Sequence, residues 1–82
     1  ELNNALRDAN EAVRLNPESA AWKNNRGECF IKRKEYDKAI EEFDALLKET
    51  PTYYFALFNR SEAYIRTKKF DLALKDIEAV LK

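Results

Sequence analysis

The stretch YDKAIEEFDALLK, Tyr36 to Lys48, returns 34 residues later as FDLALKDIEAVLK, Phe70 to Lys82, and a weaker echo, LNNALRDANEAVR, runs from Leu2 to Arg14. In the first copy Tyr36, Ala39, Ile40, Phe43, Leu46 and Leu47 fall at the alternating three- and four-residue spacing that lines one face of a helix. Phe70, Ala73, Leu74, Ile77, Val80 and Leu81 repeat that stripe, as do Leu2, Ala5, Leu6, Ala9, Ala12 and Val13. Three amphipathic helices follow from the one period.

The similarity extends upstream of the stripe. Aligning Ala20–Lys48 with Tyr54–Lys82 gives ten identities in 29 positions, among them Asn25, Arg26, Glu28 and Ile31 with their counterparts Asn59, Arg60, Glu62 and Ile65. The segments from Ala20 to Arg33 and from Tyr53 to Thr67 hold no proline and are rich in helix formers, which predicts two further helices. Breaks are expected at Asn16-Pro17-Glu18-Ser19 and at Thr50-Pro51-Thr52, with Ser19 and Thr52 as N-caps. The turns at Lys34-Glu35 and Lys68-Lys69 leave room only for tight reversals, so consecutive helices run antiparallel. The fold class is all-α, with five helices.

Composition narrows the function. The chain of 82 residues carries 15 basic and 15 acidic side chains, no His and one Cys. Zero net charge argues against general nucleic-acid binding, which draws its affinity from a basic excess. A lone Cys29 without His offers no zinc ligand set and no internal disulfide. No apolar run reaches membrane-spanning length, and no signal-peptide pattern opens the chain, so it reads as soluble, with the cytoplasm the favoured compartment. No His, no nucleophile-base pair and no glycine-rich phosphate loop argue against an enzyme, and no cofactor is expected.

The aromatic-Asp-x-Ala signature with its upstream Gly and aromatic positions and its closing Pro, at a period of 34, resembles the tetratricopeptide repeat. Gly27, Phe30, Tyr36, Ala39, Phe43 and Pro51 occupy signature places of one unit, and Ser61, Tyr64, Phe70, Ala73 and Ile77 those of a second. The resemblance covers the whole chain and implies helical hairpins stacked as a solenoid of about two and a half repeats. Residues 1–16 would be the second helix of a partial repeat, 20–53 a complete repeat, and 54–82 a repeat lacking its end. A chain so divided is expected to be part of a longer array. Two departures concern packing: Trp22 stands one place before the usual Trp, where Lys23 and Leu57 sit, and Arg26 and Arg60 replace a usual Leu.

Arg26 and Arg60 border the packed side of their helices, and the acids Asp8, Glu42 and Asp76 share their period. The expectation is that Arg26 pairs with Asp8, and Arg60 with Glu42, across the repeat boundary. Cys29 is expected to lie buried beside Trp22 on a packed flank, and the acids of the helix from Glu35 to Glu49 on a solvated outer face.

The resemblance further implies that the first helix of each repeat lines a concave groove. Its candidate residues are Asn24, Asn25, Glu28, Ile31 and Lys32 in one unit and Phe55, Phe58, Asn59, Glu62, Ile65 and Arg66 in the next. Asn25 and Asn59 are its expected peptide anchors. A Lys-Asn-Arg carboxylate clamp is not expected, because Phe55 and Asn59 stand where a Lys and an Arg would be. The expected function is a protein-interaction scaffold whose partner brings apolar side chains. Two alternatives are an architectural spacer within a larger array, and an anion- or RNA-binding repeat using the basic edge formed by Lys32, Arg33, Lys34, Arg66, Lys68 and Lys69.

Overall fold

A computed structural model describes residues 2–82, with side chains from Asn4 onward, as five helices. They are α1 (Leu2–Leu15), α2 (Ala20–Lys32), α3 (Tyr36–Glu49), α4 (Tyr54–Arg66) and α5 (Phe70–Leu81). Each packs on its neighbour in sequence, and the only other helix contact among the described residues joins α2 to α4. The inner helices α2 and α4 touch while α1, α3 and α5 stay apart, so the stack curves with α2 and α4 on its inner side. This is the solenoid that the period predicts.

The stripe of α3 forms the centre of the core. Ala39, Phe43, Leu46 and Leu47 are buried together with Ala56 and Leu57 of α4, and Phe30, Ile31, Tyr53, Ala79 and Val80 pack around them. Gly27 is what allows α2 to approach so closely, because a Cβ at that position would overlap the Phe43 ring. The next hairpin carries Ser61 and Ile77 at the equivalent places, a larger residue facing a smaller one.

The helix ends follow local chemistry. Ser19 caps α2, its Oγ accepting from the backbone N–H of Trp22 at 3.3 Å. Thr52 does not cap α4. That position belongs to Tyr53, whose carbonyl accepts from Ala56 and Leu57 and whose ring is tied into the core. Burial of the Tyr53 ring, rather than a hydroxyl, fixes where α4 starts. The reversals after α2 and α4 are Schellman turns: Lys34 N–H donates to Ile31 O and Glu35 N–H to Phe30 O, and Lys68 and Lys69 donate likewise to Ile65 and Tyr64. Lys34 and Lys68 sit at φ 63°, a conformation normally given to glycine.

The two arginines are frame residues, though not with the expected partners. Arg26 donates through Nε and Nη2 to Glu42, both at 3.0 Å, and through Nη1 to Asn10. Arg60 donates to Asp76 at 2.8 and 2.7 Å and to Asp44 at 2.8 Å. Asp8 is exposed and takes no part in the Arg26 node. The tight hairpin sets residue i of the inner helix opposite i+16 of the outer one, and the preceding outer helix presents i−16 rather than i−18. The forked pair thus lies within each hairpin, and only the third bond crosses to the preceding one. Donating to Asp76, and then to Asp44, holds the Arg60 guanidinium protonated well above its ordinary range. Its face also lies 5.6 Å from the centre of the Tyr64 ring.

Trp22 departs from expectation as well, being 42% exposed while Cys29 on the same side is buried. One residue on a helix is a rotation of about 100°. Lys23, not Trp22, turns toward α3, where it meets Glu49 at 3.4 Å.

Candidate functional site

The inner surface is built from α2 and α4, and the repeat places Glu28, Ile31 and Lys32 beside Asn59 and Glu62. These five line a depression of about 300 Å³ between the two helices. Ile65 and Arg66 continue along α4, and Arg66 reaches back to Glu62 at 3.7 Å, with both side chains about half exposed.

Phe55 and Phe58 stand on the earlier turn of α4, 70% and 62% exposed. The Tyr53 ring meets Phe55 edge-on at 5.8 Å and supports it from the start of the helix. Two large aromatic rings one turn apart, each mostly in water, form an apolar shelf next to the polar depression. Sequence periodicity separates these residues from the core stripe but does not reveal the support from Tyr53, which belongs to the helix entry.

The asparagines divide. Asn59 Nδ2 donates to Asn24 Oδ1 at 3.1 Å and to Glu28 Oε2 at 2.9 Å. A carboxylate only accepts, so the contact with Glu28 fixes which way the amide faces. Asn24, assigned to the groove by its helical position, is buried and serves as acceptor in this junction between α2 and α4. Asn59 therefore spends both N–H groups inside the protein rather than on a peptide backbone. The contact spans 35 residues, one more than the repeat, and Phe58 occupies the place equivalent to Asn24. No internal comparison of the sequence could show it. Asn25 is half-buried on the same helix.

Cys29 lies behind this surface, and burial pushes its thiol above the usual range, an effect that Lys32 offsets in part. A thiol so placed is a packing group.

The comparison with protein families agrees with the geometry: residues 1–54 and 56–82 both match tetratricopeptide repeat families. The chain belongs to the tetratricopeptide repeat family. No curated protein matches it. With about two and a half repeats in hairpin stacking, the chain has the architecture that mediates protein–protein interaction in this family. No helix among the described residues is long and apolar enough to cross a membrane.

Proposed function

We propose that this tetratricopeptide segment is a binding scaffold that holds a peptide or helix along α2 and α4. The observation that carries the reading is the pair Phe55 and Phe58, more than three-fifths exposed on the inner helix. Burying one phenylalanine side chain contributes about 1.5–3 kcal/mol, more than a single neutral hydrogen bond yields. Phe55 and Phe58 supply the anchor, and the depression around Glu28, Ile31 and Asn59 supplies register. A carboxylate clamp is disfavoured because Phe55 presents no cation and the Asn59 donors are already engaged. The scaffold works without catalysis or cofactor.

The test is selection of random dodecapeptides on the wild-type chain, followed by titration of the best binders. Phe55→Ala with Phe58→Ala should keep the helical circular-dichroism signal and lower affinity at least about tenfold, equivalent to about 1.4 kcal/mol. Binders that ignore the double substitution, or a selection that yields none, would refute the groove.

A further inference from the structure

The polar atoms of the depression are unequally matched. Glu28 and Glu62 occupy the same station on successive inner helices, with Asn59 between them. Both Asn59 N–H groups are engaged, so the polar atom it has left is the Oδ1 acceptor. Glu28 gives one oxygen to Asn59 and keeps Oε1. Among the described residues Glu62 is held only by Arg66 at 3.7 Å, beyond the range of a hydrogen bond. Against these acceptors stands the ammonium of Lys32, on a long, exposed side chain.

A peptide backbone brings donors and acceptors in equal number and matches such a site poorly. An arginine or lysine side chain brings donors alone, five or three of them. Its aliphatic stem suits Ile31, which lines the same depression, and its charge suits the two carboxylates. Phe58 precedes Glu62 by one helical turn, so a ligand residue next to the cation reaches the aromatic shelf.

We infer that the groove selects a peptide that places a basic side chain between Glu28 and Glu62 and an adjoining apolar side chain on Phe55 and Phe58. The inference rests on the proposed groove and names its ligand. Charge complementarity sets the occupant's class: a basic-apolar segment of a partner protein, not an acidic tail.

The dodecapeptides selected above decide it. Those that lose binding on Phe55→Ala with Phe58→Ala should carry Arg or Lys beside an aromatic residue or Leu. Their synthetic forms should bind about tenfold more weakly to Glu28→Gln with Glu62→Gln, and about as much more weakly when their own basic residue becomes Gln. The loss should shrink as salt rises. Glu62→Gln alone, outside the Asn59 junction, should reproduce part of it with an unchanged melting temperature, while Lys32→Gln should tighten binding. Phenylalanine-dependent binders that are neutral or acidic, or that ignore both glutamate substitutions, would overturn the basic-ligand inference and leave the groove standing. If no binder depends on Phe55 and Phe58, the groove itself falls and the inference with it.

Discussion

Leu47 and Leu81 are the same residue at the same place in successive repeats, yet Leu47 is 8% exposed and Leu81 80%. Phe43 is fully buried while its counterpart Ile77 is half-buried. The outer helices α3 and α5 have equivalent stripes. They differ in that α3 packs between α2 and α4, whereas among the described residues α5 packs on α4 alone. Burial at these two positions belongs to the interface with the following helix, not to the residue, as expected where each unit contacts only its neighbours.

One substitution made at both leucines tests this. Leu47→Asp places a charge in the α3–α4 core and should cost more than about 5 kcal/mol, enough to unfold a chain of this size. Leu81→Asp should cost less than about 1 kcal/mol, part of it from an acid at a helix C-terminus. Urea unfolding followed by circular dichroism reads both. Equal losses would mean that α5 has a cover the structure does not show.

The arginine nodes give the next contrast. Arg26 meets one carboxylate and the neutral Asn10, whereas Arg60 meets Asp76, with only 7% of its side chain exposed, and Asp44 as well. Arg60→Glu leaves three acids together and should cost about 3–5 kcal/mol, the range for breaking a buried pair. Arg26→Glu should cost about 1–3 kcal/mol, the scale of charged hydrogen bonds. Thermal melts rank them; an equal or reversed order would remove the distinction between the nodes.

These nodes also show where sequence stops being legible. Whereas the inner face is what the family resemblance implies, the 34-residue period exposes the helices and the core stripe, because each depends on side-chain type at a helical position. It placed the arginines at the packed border, yet not on their partners: i−18 and i+16 both offered acids, and only the hairpin's register decides between them. Thr52 failed as a cap since Tyr53 is anchored by tertiary packing. Trp22 followed its helical angle rather than its hydrophobicity. The Asn59 contact to Asn24 and Glu28 was hidden because it breaks the period. In the groove, the exposed phenylalanines were readable as residues outside the stripe. The loss of Asn59 donors was not.

A third substitution pair tests a feature that the hairpins share. Lys34 and Lys68 adopt left-handed backbone, which costs a residue with a Cβ about 1–2 kcal/mol, while glycine gives back part of that gain through a freer unfolded chain. Lys34→Gly and Lys68→Gly should each stabilise by about 0.5–1 kcal/mol. Both should raise the urea midpoint by similar amounts, in contrast to the asymmetry at Leu47 and Leu81. A loss at either site would show that its lysine does more than occupy the turn.

The smallest difference lies one residue later and is visible only in acid. Glu35 precedes α3 with its carboxylate 2.7 Å from Arg33 and 3.2 Å from Lys38, whereas the equivalent residue before α5 is Lys69. The hydrogen bond from Arg33, then that from Lys38, holds the Glu35 carboxyl below its usual range. Because its folded pKa is depressed, its contribution is present above the unfolded glutamate value of about 4.3 and is lost as pH falls through the folded value. Glu35→Gln should therefore lower the urea midpoint slightly at neutral pH and converge with the wild type once the wild-type Glu35 carboxyl is protonated. Lys69→Gln should run parallel to the wild type through the same acid range, since no carboxylate titrates at that place. If Glu35→Gln instead runs parallel to the wild type throughout, the bonds of Glu35 to Arg33 and Lys38 contribute nothing to folding.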